Sequence, residues 1–123
     1  ALWDMYPTLL ELAGIKSNVK TDGLSLVPVL LNKGRRKTHD YFYWEFHEND
    51  GRQAISWKNW KGIRLNASTS TPSPIELYDL SADPLEKNNL AAQFPGIVKK
   101  MAQWMKKSHV RNPDWPFLVG EKD

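Results

Sequence analysis

The residues of this sequence best suited to chemistry are polar side chains in a short segment between two aromatic stretches. His47, Glu48 and Arg52 lie in this segment, and Trp44 comes just before it. Small-molecule recognition combines a few hydrogen-bonding side chains with an aromatic or apolar surface. We therefore take His47, Glu48 and Arg52 as candidate substrate-binding residues. The alternative is an ordinary hairpin loop without a ligand, and the residues alone leave both interpretations open.

Other reactive residue types are absent or scattered. The sequence has 0 Cys, which excludes a thiolate nucleophile, a thiolate metal ligand and a disulfide within it. Its 3 His, which are His39, His47 and His109, lie far apart and lack carboxylates at a metal-binding spacing. We expect no catalytic residue and no metal site within these residues.

The length and composition suit one folded domain. The 123 residues include 6 Trp, 4 Tyr and 4 Phe, which supply bulky core material. No run approaches the ~20 apolar residues that a membrane span needs, so we expect no membrane partner. The chain starts at Ala1-Leu2-Trp3-Asp4 without an initiator Met, and we therefore expect it to be part of a longer protein.

The basic residues suggest an alternative function. The net charge is +3, and a stand-alone α+β interaction module could use such an excess to bind polyanions. The cations concerned would be Arg35, Arg36, Lys99, Lys100, Lys106 and Lys107. Acidic residues are interspersed, and these lysines lie largely opposite an apolar helix stripe, which favours a solvated surface. We expect no nucleic-acid partner.

The sequence pattern predicts the elements that position the polar segment. Four stretches rich in aromatic or alternating apolar residues predict the strands of an antiparallel meander, over residues 41–46, 52–57, 60–65 and 75–80. Pro95 then opens a helix. Its apolar stripe consists of Ile97, Val98, Met101, Ala102, Trp104 and Met105.

Shorter helices are predicted elsewhere. Residues 4–14 form one, with Asp4 as its cap, and Ser25 caps a second that ends by Gly34. Asp83, followed by Pro84 and Glu86, has the form of another helix start. The predicted fold class is therefore α+β: a four-stranded antiparallel sheet packed against a C-terminal amphipathic helix and preceded by short N-terminal helices.

Three motifs carry a family resemblance. Glu-Leu-Tyr-Asp-Leu at 76–80, followed by Asp-Pro-x-Glu-x-x-Asn-Leu-Ala at 83–91, resembles the C-terminal subdomain of the arylsulfatase-type sulfatases of the alkaline-phosphatase superfamily. Residues 4–14 and 22–30 are similar to a late segment of the sulfatase catalytic domain. Trp-Glu-Phe, Gln-Ala-Ile and Trp-Lys-x-Ile-Arg, within 44–64, resemble the sheet of the subdomain.

The resemblance implies a domain division and an activity. Residues 1–36 would be the tail end of the sulfatase catalytic α/β domain, and residues 37–123 the C-terminal subdomain. The parent would be a periplasmic or secreted sulfuric ester hydrolase acting on sulfated glycans or aryl sulfates. This part would support the fold and line the substrate pocket, with its own N-terminal catalytic domain as its partner. A phosphate-ester hydrolase of the same superfamily is a further alternative.

The resemblance also implies cofactors that these residues do not hold. The family uses formylglycine and a divalent cation, typically calcium, both in the N-terminal domain. Ser70-Thr71-Pro72-Ser73 imitates the start of the formylglycine signature Cys/Ser-x-Pro-x-Arg, but Pro74 stands where the signature has Arg, and we reject it. We expect the fragment alone to contain no cofactor and to be inactive.

Overall fold

The computed structural model describes residues 1–121. Its contacts divide the chain into two compact units, residues 1–40 and the residues from Tyr41 onward. The family resemblance puts a boundary between residues 36 and 37, whereas the contacts divide the chain after Asp40. The described residues combine helices with one antiparallel sheet, which confirms the predicted α+β class. No helix among them has the length and apolar character needed to cross a bilayer.

The first unit consists of short helices. A 3-10 turn at Leu2–Asp4 leads into α1, Met5–Leu12, and α2 follows at Val27–Leu30. Gly14 ends α1 in the left-handed region with φ +69°, as predicted from its position. The apolar residues of this unit are largely exposed: Leu2, Met5, Leu9, Leu12, Val29 and Leu30.

Asp4 occupies the cap position of α1, as the sequence predicts, but its side chain does not cap the helix. Its carboxylate makes no capping hydrogen bond to α1 and is fully buried. Instead it accepts hydrogen bonds from the backbone N–H of Leu24 at 2.8 Å, from Arg36 at 3.3 Å and from His39 at 2.7 Å. Burial alone would raise the pKa of Asp4, but the bonds from Leu24 and His39 hold it well below its usual range. Asp4 therefore joins three segments of this unit.

Ser25 also differs from its predicted role. Leu26, not Ser25, occupies the cap position of α2. The Ser25 hydroxyl accepts a hydrogen bond from the backbone N–H of Val27 at 3.2 Å, so it still satisfies a donor at the start of the helix.

The second unit is built on a four-stranded antiparallel sheet in the order β1-β2-β3-β4. The strands are β1 (Phe42–Phe46), β2 (Arg52–Trp57), β3 (Trp60–Arg64) and β4 (Glu76–Asp79). The predicted meander is therefore confirmed. Its strands end within two residues of the predicted bounds because the aromatic and alternating patterns mark them clearly.

Helix α3, Pro95–Ser108, packs on one face of this sheet. Met101 and Met105 are fully buried against Ile55 and Leu77. Trp104 stacks on Tyr41 with ring centroids 4.5 Å apart. Gly62 of β3 lies beneath Met101, since a Cβ at Gly62 would be 2.4 Å from the Met101 sulfur. The predicted apolar stripe thus faces the sheet.

The connection from β4 to α3 contains no helix at Asp83, so that prediction is wrong. The Asp83 carboxylate accepts hydrogen bonds from the N–H groups of Lys87 and Asn88, each at 2.7 Å, and closes a loop. Glu86 has a left-handed backbone, with φ +55°, and its carboxylate pairs with Lys61 at 2.5 Å. Asp favours both local side-chain turns and helix caps, so the motif alone did not distinguish them.

Candidate functional site

The loop between β1 and β2 is anchored by backbone hydrogen bonds to a second loop. Its carbonyl groups at Asp50 and Gly51 accept from the N–H groups of Ser68 at 2.9 Å and Ala67 at 3.0 Å. Asn49, Asp50 and Gly51 all have positive φ angles. A Cβ at Gly51 would lie 2.0 Å from the Ser68 hydroxyl oxygen, so only glycine fits there. The polar segment is therefore held at a defined place at one end of the sheet.

His47 lies against the C-terminal segment, which follows α3 and comprises residues 109–121. Its ring packs edge-on against Phe117, with centroids 5.0 Å apart, and against Trp115, at 5.6 Å. Phe117 is almost fully buried, whereas Trp115 is exposed over 64% of its surface. His47 itself stays exposed beside these rings. An imidazole beside an exposed indole offers a hydrogen-bonding group next to an apolar surface.

His109 holds this C-terminal segment to the sheet. Its Nδ1 lies 2.6 Å from an oxygen of Glu45 in β1, and its Nε2 is hydrogen-bonded to Glu121. Each of these carboxylates needs an N–H donor. Both ring nitrogens can donate only when both carry a proton, which is the cationic form of the imidazole. Burial would lower the pKa of His109, but the bonds to Glu45 and Glu121 outweigh it and raise the pKa above its ordinary value.

The hydrogen bonds continue from Glu45 into the sheet. The Tyr43 hydroxyl donates to Glu45 and accepts from the Gln53 amide at 2.8 Å. The Gln53 carbonyl in turn accepts from Arg64 at 3.3 Å. Burial, together with the neighbouring Glu45 carboxylate, raises the pKa of Tyr43 above its ordinary value, so the phenol stays protonated. This chain of polar groups holds β1, β2 and β3 in register on the side that faces α3.

Arg52 lies on the opposite side of the sheet. It pairs with Phe46 in the register of β1 and β2 and lines a groove of about 380 Å³ on the face away from α3. The wall of this groove includes Trp44, Phe46, Ala54, Lys61, Ile63, Glu76, Tyr78 and Glu86. The groove therefore joins an aromatic edge, at β1, to a charged edge near β4.

The charged edge of this groove is internally paired. The Tyr78 hydroxyl donates to Glu76 at 2.8 Å, and that bond, together with burial, raises the pKa of Tyr78 to about 12. Lys61 pairs with Glu86. A phenol with such a pKa remains neutral at physiological pH and can donate a hydrogen bond, but it is not a nucleophile there.

The structure thus separates the three predicted binding residues. His47 lies with the C-terminal aromatic residues, Arg52 lies in the groove on the other face, and Glu48 is exposed within the loop between them. The sequence analysis did not identify Trp115 and Phe117 as candidate site residues. Two aromatic residues flanking Pro116 were a usable signal, because bulky rings are uncommon in a solvated tail.

Residues 1–121 do not assemble a cation site. No three His, Asp or Glu side chains in this part of the chain lie close enough together to hold a metal ion. The residues described here therefore do not fit the divalent cation that the family resemblance implies, and no chemical step is assigned to it in this chain.

The fold is shared with solved structures of longer proteins. One is a 2-O GAG sulfatase, with a TM-score of 0.70 and 28% identity over 85% of this chain and 23% of that one. Another, solved with its substrate D-glucosamine-2-N,6-O-disulfate, has a TM-score of 0.69 and 27% identity over the same shares of both chains.

The sequence matches place the chain in one family. It belongs to the family described as N-sulphoglucosamine sulphohydrolase, C-terminal, whose model matches residues 2–111. This match confirms the resemblance drawn from the motifs.

Curated relatives are sulfatases as well. Arylsulfatase K of Gallus gallus is 36% identical over 110 residues, which is 82% of this chain and 20% of the relative. The Delta 4,5-hexuronate-2-O-sulfatase of Bacteroides thetaiotaomicron is 34% identical over 101 residues, 81% of this chain and 21% of the relative. The chain therefore spans about a fifth of the length of these relatives.

Proposed function

We propose that this chain is the C-terminal part of an enzyme that hydrolyses sulfate esters of sulfated glycans. The observation that carries the proposal is the match over most of the chain to a sulphohydrolase C-terminal family, together with a relative named Delta 4,5-hexuronate-2-O-sulfatase. The nucleophile and the cation would then lie in the catalytic domain of the parent, where a bound cation would stabilise charge on the sulfate oxygens.

The role of this part is to support the fold and to contact the sugar. The loop between β1 and β2 is fixed at both ends by strands and by its hydrogen bonds to Ala67 and Ser68, so its side chains are held in place. His47 and Glu48 offer hydrogen-bonding groups to hydroxyls on this loop. Arg52 offers a cation at the base of the loop, on the other face of the sheet. Binding residues carried on a loop of a rigid scaffold are common in enzymes.

The proposal is tested in the full-length enzyme with two substrates. A 2-O-sulfated glycosaminoglycan disaccharide presents the sugar, whereas a small aryl sulfate does not. His47→Ala should lower kcat/KM for the disaccharide by about tenfold or more, since a lost hydrogen bond to a buried partner costs about 1–3 kcal/mol. The aryl sulfate should be cleaved at nearly the wild-type rate.

Comparison variants separate the possible outcomes. Glu48→Ala and Arg52→Ala report whether each side of the loop contributes, and Asn88→Ala, at an exposed position of the β4–α3 connection, serves as a surface control. Equal losses on both substrates would mean that His47 acts in the chemical step or stabilises the fold rather than binding the sugar. An enzyme that cleaves neither sulfate ester but cleaves a phosphate ester would refute the sulfatase proposal.

The polyanion-binding alternative has less support. Arg36, one of its cations, is bound to Asp4. Lys100, another, lies 4.1 Å from the centroid of the Trp57 ring and 4.8 Å from that of Trp104. Lys106 and Lys107 lie in the last turn of α3, where cations stabilise the helix dipole. These four positions therefore have a structural explanation that needs no ligand.

A further inference from the structure

The C-terminal segment presents one large aromatic side chain to solvent beside the proposed sugar-binding loop. Trp115 is 64% exposed, and its ring contacts that of His47, with the centroids 5.6 Å apart. A small-ligand site typically combines aromatic side chains with a few polar groups, and Trp115 and His47 place one of each side by side.

The segment that carries Trp115 is fixed by a compact set of hydrogen bonds. One Glu121 carboxylate oxygen accepts from the N–H groups of Phe117 at 2.8 Å and Leu118 at 2.9 Å. The other oxygen is bonded to His109, which also binds Glu45 of β1. The Glu121 carbonyl accepts from the Arg111 guanidinium at 2.8 Å and 3.1 Å. These hydrogen bonds hold the segment around Trp115 in a compact loop and fix it to β1.

We propose that Trp115 is a substrate-binding residue on which a pyranose ring of the glycan stacks, while His47 binds a hydroxyl of the same sugar. The apolar C–H face of a pyranose complements the face of an indole, and a rigid aromatic side chain loses little conformational entropy on binding. This assignment rests on the proposed function, and it adds the aromatic surface that the polar loop by itself lacks.

Trp44 is the competing aromatic residue, and its position argues against it. It lies on the face of β1 that lines the groove with Arg52, away from the side on which Glu45 meets His109. His47 contacts Trp115 and Phe117 on that second side. A sugar bound by the His47 imidazole therefore meets Trp115.

The test is carried out in the full-length enzyme with a 2-O-sulfated glycosaminoglycan disaccharide. Trp115→Ala should raise KM by about tenfold and leave kcat nearly unchanged, because stacking holds the substrate and its transition state equally. Trp115→Phe should recover most of the affinity, since a phenyl ring keeps an aromatic face. Val119→Ala, at a residue 63% exposed on the same segment, should leave KM unchanged.

Two further measurements make the outcome decisive. Thermal unfolding of each variant shows whether a change in KM comes from misfolding, and calorimetry with a non-hydrolysable sulfonate analogue of the disaccharide measures binding without turnover. The assignment is overturned if Trp115→Ala binds as tightly as the wild type, or if the wild type does not bind. The sulfatase activity itself is judged separately, from the wild-type rate. A rise in KM for Trp44→Ala alone also overturns it and places the sugar in the opposite groove.

Discussion

The side chain of Asn89 caps the backbone of Leu77. Its Oδ1 accepts hydrogen bonds from the Leu77 N–H at 3.1 Å and from the Ala91 N–H at 3.0 Å, while the Leu90 N–H donates to the Leu77 carbonyl at 2.7 Å. Leu77 lies in β4, an edge strand, so its outward backbone groups would otherwise be unpaired. The Asn-Leu-Ala part of the sequence motif therefore closes the edge of the sheet.

Removing that cap should destabilise the fold. Asn89→Ala leaves the N–H of the fully buried Leu77 without its acceptor, and an unpaired buried donor costs about 1–3 kcal/mol. Urea denaturation of this chain, followed by tryptophan fluorescence, measures the change in the free energy of unfolding. The neighbouring exposed residue provides the control, since Asn88→Ala should change it by less than about 0.5 kcal/mol. Equal effects of the two variants would contradict the assigned role of Asn89.

Two glycines should respond in opposite directions to the same substitution. Gly51→Ala places a methyl group against Ser68 at a residue with φ +75° and should destabilise the chain by at least about 1 kcal/mol. Gly96→Ala, in the first turn of α3 with nothing within 4 Å of the added carbon, should stabilise it by about 0.5–1 kcal/mol. Thermal unfolding of both variants tests the pair, and a Gly51→Ala variant as stable as the parent would show that the two loops are not held together.

The contact between α3 and the sheet should dominate the stability of the second unit. Met101→Ala removes a fully buried side chain above Gly62, and such a truncation costs about 2–5 kcal/mol. Gln103→Ala, at an exposed position of the same helix, is the matched control and should have little effect. The denaturation midpoints of the two variants should differ clearly. If they coincide, the apolar stripe does not face the sheet in solution.

Stability should fall as the pH rises above neutrality. The folded pKa of His109 is raised, so its favourable contribution is complete below the unfolded value of about 6.5 and is lost as the pH passes through the folded pKa. Glu121 has a lowered pKa, because the hydrogen bonds from Leu118, Phe117 and His109 outweigh its burial, so its contribution is lost toward acid pH. The groups that face the imidazole are the carboxylates of Glu45 and Glu121.

The measurement is the unfolding temperature of this chain at pH 6 and at pH 8.5. The wild type should be more stable at pH 6, and His109→Gln should lose most of that difference because its side chain does not titrate. A variant that keeps the wild-type pH dependence would assign the effect to another group.

This chain by itself should not hydrolyse sulfate esters. It contains no Cys, its Ser70-Thr71-Pro72-Ser73 segment lacks the Arg of the formylglycine signature, and residues 1–121 assemble no metal site. Incubation with an aryl sulfate and Ca²⁺ should give no turnover above that of a heat-inactivated sample. Turnover above that level would reveal a catalytic centre within the chain.

The sequence by itself determined the sheet, the last helix and the family. Strand and helix periodicity depends on which side chains share a face, and that information is local, so β1 to β4 and the stripe from Ile97 to Met105 could be read directly. The motifs around Tyr78 identified the sulfatase C-terminal domain for the same reason, since they are contiguous in the chain.

Only the tertiary structure decided how the polar residues are used. Asp4 and Asp83 have the side chain of a helix cap, but their carboxylates accept hydrogen bonds from backbone N–H groups outside a helix start, that of Leu24 for Asp4 and that of Lys87 for Asp83. His47 and Arg52 are close in sequence, yet strand alternation and the hairpin loop put them on opposite sides of the sheet. Trp115 meets His47 only because His109 and Glu121 fold the C-terminal segment back onto β1. The contacts between the C-terminal segment and β1 join residues more than 60 positions apart, as for His109 and Glu45, and no local pattern encodes them.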